Sequence, residues 1–287
     1  MANLKEIRNR ITSVSSTMQI TSAMKMVSAA KLKKAQDAIT AMRPYSEKLT
    51  QLLQNLSSTL DSDAGGEFTA QREIRNVLII TVTSNRGLAG AFNSNVLKEV
   101  KRLGETIYAG KNVDFLTIGK KGNDLLKKTG KVVSNNNGIF DTLNFENVSI
   151  ISDEIVKLFL DGKYDRVVLV YNQFKNAATQ IIKEEQFLPL VPAVSTSNKQ
   201  VVDYIFEPSK EEIVMTLIPK MLKTQLYKAI RDSFASEHGA RMTAMHKATD
   251  NATALRNQLK LTYNKARQAA ITNEILEIVG GAEALNG

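Results

Sequence analysis

MHKATDNATALRNQLKLTYNKARQA, residues 245–269, is the stretch whose reading decides the architecture. Within it Met245, Ala248, Ala252, Leu255, Leu259, Thr262, Ala266 and Ala269 recur at alternating steps of three and four. That is heptad spacing, the mark of a helix lying along another helix. The surrounding segment, 209–287, holds no glycine before Gly239 and then none before Gly280, and its only proline is Pro219. At 1.5 Å per residue a helix of that length extends roughly 110 Å. A domain of ~150 residues has a radius of gyration near ~15 Å, so such a helix needs a partner to cover its seam.

The start of the chain supplies one. Leu4, Ile7, Ile11, Val14, Met18, Thr21, Lys25, Ser28, Leu32, Ala35, Ile39 and Met42 keep the same alternation without a slip. This second helix is expected to kink at Pro44, where a backbone hydrogen bond is lost, and to end near Leu60 before the acidic, glycine-bearing DSDAGG of residues 61–66. Two long helices at opposite ends of one chain most simply pair as an antiparallel coiled coil. The plainer alternative is two unrelated amphipathic helices on one core.

The middle reads as α/β. Residues 76–83 (NVLIITVT) form a continuous β-branched apolar run, the pattern of a strand covered on both faces. Further strands are expected at 113–118, 131–134, 166–171, 180–188 and 201–206. Helical spacing covers the stretch up to Ile107, residues 120–128 and residues 146–161. Alternating strands and helices imply a mostly parallel, Rossmann-like sheet. Ser209 followed by Glu212 resembles a capping box opening the last helix, and Pro219 should bend it. The expected division is a coiled-coil helix at 1–60, a linker at 61–74, an α/β domain at 75–208 and a second coiled-coil helix at 209–287.

Charge is distributed unevenly. The chain carries +9 overall; residues 1–48 hold nine basic and three acidic residues, and residues 210–287 eleven and eight. The excess therefore lies on the two terminal helices and calls for an anionic partner. Tyr45, Tyr227, Phe234 and Tyr263 are too scattered for a base-stacking platform, which favours an acidic protein surface over nucleic acid. No apolar run approaches the ~20 residues of a membrane span, and the heptad pattern begins at Leu4, leaving no room for a presequence. Cysteine is absent, so disulfides and thiolate metal sites are excluded. His238 and His246, eight residues apart on one helix, read as exposed or seam-flanking positions, not ligands.

Only SNRGLAGAFN, residues 84–93, looks like chemistry, because it is glycine-bearing and sits between a strand and a helix. Its G-x-x-G spacing lacks the first glycine pair of a dinucleotide fingerprint, and no G-K-[ST] follows. Nucleotide binding there and a tight structural turn are both open readings. No nucleophile elbow or H-E-x-x-H occurs.

LKEIRNRITSVSSTMQITSAMKMVSAAKLKKAQ (4–36), SNRGLAGAFN (84–93), SEHGARMTAMHKATDNA (236–252) and YNKARQAAITNEILEIVGGAEAL (263–285) together resemble the gamma subunit of the F-type ATP synthase. The resemblance covers essentially the whole chain. It implies a coiled coil inserted as one copy into a hexamer of alternating alpha and beta subunits, with a Rossmann-like foot resting with epsilon on the membrane ring of c subunits. It implies a rotor shaft with no chemistry and no cofactor of its own, touching the membrane only through the c ring, on the cytoplasmic side of a bacterial inner membrane. By similarity Met24, Lys25, Arg241, Arg267, Gln268, Thr272, Glu274 and Glu277 engage the beta subunits. VVDYIFEP (201–208) resembles the segment adjoining the c ring, so Tyr204, Phe206 and Glu207 are candidates there. If the chain ends align, Thr21, Lys25 and Ser28 lie opposite Ala266, Ala269 and Ala270, with Met24, Met26 and Val27 off the seam. The other classes are a nucleotide-binding α/β protein with helical arms and a nucleic-acid-binding coiled coil.

Overall fold

The helix that opens the chain, α1, runs from Leu4 to Ser57 with Pro44 inside it. The helix that closes it, α5, runs from Lys210 to Asn286 with Pro219 inside it. Both continue past their proline. The computed structural model describes residues 4–57, 68–190 and 210–286. The expected break at 61–66, the strand at 201–206 and the Ser209 cap lie outside them. The chain forms two compact units, Met1–Ser28 with Met242–Gly287, and Ala29–Arg241.

In the first unit the two helices pair antiparallel. Every expected seam position of α1, from Leu4 to Ser28, is buried or half-buried. On α5 the expectation holds at Met245, Ala248, Ala252, Leu259 and Ala266, which are buried or half-buried, and fails at the other three positions. Leu255 is 42% exposed, and Thr262 and Ala269 are exposed. The covered residues there lie one position further on: Thr249 (beside half-buried Ala248), Arg256, Tyr263 and Ala270. Two three-four alternations can share half their positions, and apolarity alone selects the wrong one at Leu255. Polar side chains hold the true seam. Thr21 Oγ1 and Thr249 Oγ1 are 2.8 Å apart, and the Thr253 hydroxyl and the Arg256 guanidinium donate to Met18 Sδ at 3.3 and 3.5 Å.

These contacts also correct the alignment of the ends. Thr21 meets Thr249, not the alanines at 266–270, and Lys25 Nζ lies 3.5 Å from His246 Nδ1. With that register α1 is used up before α5 ends. Every α5 residue from Ile271 to Ala282 is exposed.

The second unit is built on a five-stranded sheet of order β3-β2-β1-β4-β5: β1 (Asn76–Val82), β2 (Asn112–Ile118), β3 (Lys131–Asn135), β4 (Arg166–Phe174) and β5 (Gln180–Leu188). β1 pairs parallel with β2 and β4, and β2 with β3, while β4 and β5 pair antiparallel. Because side chains alternate along a strand, β1 serves two cores. Leu78, Ile80 and Val82 pack with Val148, Ile151, Ile155 and Phe159 of α4 (Phe145–Leu160) and with Ile218, Leu222, Leu226 and Ile230 of α5. Val77 and Ile79 pack on the other face with Val96 and Val100 of α2 (Phe92–Arg102) and Leu126 of α3 (Lys120–Leu126). α2 closes in a π-turn at Leu103–Ile107, and Asn144 caps α4 by accepting from the Asn147 amide at 2.8 Å. Among the described residues no helix is long and apolar enough to cross a membrane.

Candidate functional site

The loop 84–93 follows β1 at the point where strand order reverses, the crevice in which open α/β sheets bind ligands. Here its own side chains close it. Ser84 is fully buried; its amide donates to Asn93 Oδ1 at 2.9 Å and its hydroxyl to the Arg86 carbonyl at 2.6 Å. Asn85 Oδ1 receives the Lys120 amide. Gly90 sits at φ 57° and Leu88 at φ 62°, a left-handed backbone that costs a branched residue energy. Leu88 is nonetheless exposed.

Helix α5 clamps this loop from outside. Arg241, 7% exposed, donates through Nη2 to the carbonyls of Arg86 and Gly87, both at 3.3 Å, and through Nη1 to Glu237 Oε1 at 2.6 Å. One turn back, Ser236 donates to the Asn172 carbonyl, and Asn172 Nδ2 to that of Phe92. Burial pushes the Glu237 carboxyl up, against the opposing pull of Arg241, Lys31 and Arg86. His238, expected on an exposed or seam-flanking face, is instead 5% exposed and meets the Phe234 ring edge-on at 4.5 Å. Neither of its ring nitrogens has a hydrogen-bond partner among the described residues. Burial, reinforced by Arg241 and Lys31, pulls it down to about 4. The loop therefore turns carbonyls toward a cation, the reverse of a phosphate cradle, which requires convergent N–H groups.

The expected contact residues fall into separate groups. Arg241 is committed to the loop clamp inside the second unit. In the first unit Met24 and Lys25 are half-buried, with Met26 and Val27 exposed beside them. Arg267, Gln268, Thr272, Glu274 and Glu277 are all exposed. Tyr204, Phe206 and Glu207 lie outside the described residues. What the residue reading missed is the apolar surface past the end of α1. Ile271, Ile275, Leu276, Ile278 and Val279 are exposed, Ile278 to 71%. At ~100° per residue they share one broad face, with Glu274 and Glu277 on the other. The signal was in the sequence as an apolar run, and it was hidden by the assumption that the chain ends align.

Comparison with known proteins bears on what this surface serves. A family model described as ATP synthase matches residues 3–285. The chain is 75% identical to the ATP synthase gamma chain of Flavobacterium johnsoniae and 70% identical to that of Christiangramia forsetii, over all of each chain. It is similar in structure to a chain of the Tetrahymena thermophila mitochondrial ATP synthase central stalk and c ring, at 25% identity and a TM-score of 0.62, covering 80% of this chain and 99% of that one. A chain of the Euglena gracilis mitochondrial ATP synthase shares the fold at a TM-score of 0.71 and 20% identity, over 98% and 94% of the two chains.

Proposed function

Because the chain belongs to the gamma-chain family of the F-type ATP synthase, we propose that its paired terminal helices turn as one copy inside a hexamer of alternating alpha and beta subunits. The chain is a non-catalytic, central-stalk subunit of that complex. Its α/β unit, with epsilon, sits on the c ring at the cytoplasmic face of a bacterial inner membrane. Residues 201–208, with Tyr204, Phe206 and Glu207, adjoin that ring. Rotation of the ring then carries the helices around, and each beta subunit meets a different face of the pair in turn.

The observation that carries this reading is the antiparallel pair closed by Thr21 and Thr249, from which α5 continues bare with its apolar face exposed. Exposed apolar area of this kind marks a contact surface. A ring that lets the helix turn must enclose it without binding any one angle tightly, and non-directional apolar contact meets that need better than fixed hydrogen bonds. Lys25, Arg267, Gln268, Thr272, Glu274 and Glu277 supply weaker polar contacts around it, Met24 adds an apolar one, and Arg241 acts through the loop it clamps. The basic excess on the terminal helices draws the chain toward acidic surfaces.

Reconstitution tests the reading. Mixed with alpha and beta subunits, the chain should co-elute as one copy per hexamer and raise ATPase turnover. Ile275→Asp combined with Ile278→Asp should cut both by about tenfold or more, since burying a charge on that face is costly. A chain that stays monomeric in the presence of both subunits would overturn it. The nucleotide-binding alternative fares poorly because Arg241 and Asn93 already occupy the loop's polar groups.

A further inference from the structure

At the opposite edge of the sheet from the loop 84–93, the starts of β1, β2 and β3 border a cavity of about 490 Å3. Its wall is polar: Asn76, Asn112, Asp114, Lys111, Lys131 and Lys163, with Val113 and the buried Tyr164. The nearby carboxylates are already engaged. Asp114 Oδ2 receives the Tyr164 hydroxyl at 2.7 Å and lies 3.4 Å from Lys131 Nζ. Asp165 Oδ2 receives the backbone amides of Arg75 and Asn76 at 2.9 and 2.8 Å. Glu73 receives two hydrogen bonds from the Arg75 guanidinium. Lys111 and Lys163 have no ion pair among the described residues, although both line the cavity. Asn112 donates to Asn76 Oδ1 at 3.0 Å, which turns the pair of amides into a fixed polar wall.

We propose that this cavity binds a phosphate-bearing anion, held between Lys111 and Lys163 with Lys131 and the Asn76–Asn112 amides at its side. A cluster of ammonium groups around a concave polar surface favours a compact polyvalent oxyanion over a monocarboxylate, because each added charge on the ligand gains from the same field. Among the described residues the lining has no exposed aromatic face on which a base could stack, so the phosphate and not a nucleobase is the recognised group. Inorganic diphosphate and the phosphomonoester headgroup of a lipid carry the same chemistry. The site is independent of the shaft role and lies wholly within the α/β unit.

Calorimetry on the full chain at low ionic strength tests it, with sodium diphosphate as the soluble probe and vesicles of phosphatidic acid in phosphatidylcholine as the lipid probe. Saturable one-site binding of diphosphate is expected, and Lys111→Gln with Lys163→Gln should weaken it about tenfold or more. Lys120→Gln with Lys121→Gln, which removes the same charge at the far edge of the sheet, should leave it unchanged. Retention on the phosphatidic acid vesicles, lost in the same cavity variant, assigns the site to a headgroup; binding of diphosphate alone assigns it to free phosphate. Equal weakening in both double variants, or no saturable binding of either probe, overturns the proposal. Circular dichroism of each variant checks that the fold is retained.

Discussion

At the scale of single residues, the most costly arrangement is one turn of α5 that buries a carboxylate, a guanidinium and an imidazole together. The Glu237 and Arg241 side chains are 10% and 8% exposed, and each justifies the other's burial. Arg241→Met should leave Glu237 unpaired and release the Arg86 and Gly87 carbonyls, costing about 3 kcal/mol in urea unfolding. His238 adds a pH dependence of definite sign. Its folded value of about 4 lies below the ordinary ~6.5 of an unfolded histidine, so the unfolded chain takes up the proton first as pH falls. Its stabilisation is whole above pH ~6.5 and fades as pH drops toward ~4, amounting to about 2 kcal/mol by pH ~5. Glu237, pushed the other way, partly offsets this, so the informative comparison is between variants. His238→Phe should flatten the difference in urea midpoint between neutral pH and pH ~5, and an unchanged slope would locate the titrating group elsewhere.

At the scale of elements, α1 and its seam were legible because the three-four alternation runs without a slip and apolar or small residues fill every position of it but Lys25. The seam of α5 was only half legible. Arg256 and Tyr263 can bury their stems against a partner helix while carrying a polar tip, so composition disguises them as surface. The register is testable because the chain has no cysteine of its own. Thr21→Cys with Thr249→Cys should cross-link within one molecule under mild oxidation. Thr21→Cys with Ala266→Cys, the aligned-ends pairing, should not, and non-reducing mass analysis separates the two outcomes. Gly239 is a second case of tertiary control. Its glycine was visible as an interruption in the helix, but its reason was not: a Cβ there would lie 3.2 Å from the backbone of Ala177 in the β4–β5 turn. Gly239→Leu should therefore destabilise by about 2 kcal/mol despite the better helix propensity of leucine. A thermal shift upward would show that the turn yields.

At the scale of the whole molecule, α5 residues 271–282 are exposed in the folded chain, and the proposed function gives them their role in assembly. Deleting residues 271–287 should change the unfolding free energy of the isolated chain by less than about 0.5 kcal/mol, as expected from the exposure of residues 271–282. The same deletion should sharply lower ATPase turnover in the reconstituted complex. A large loss of stability in the isolated chain would mean that this segment packs on the protein itself. Sequence alone determined the two terminal helices, the order of strands and helices between them, the mostly parallel sheet and the family, because periodicity and β-branched runs report local geometry directly. Tertiary structure alone decided which α5 residues form the seam, how far α5 outruns α1, and that Arg241 and His238 are internal. Those depend on which distant backbone a side chain meets, and the free energy of burying a polar group is set by the partner it finds there, not by its own position in the chain.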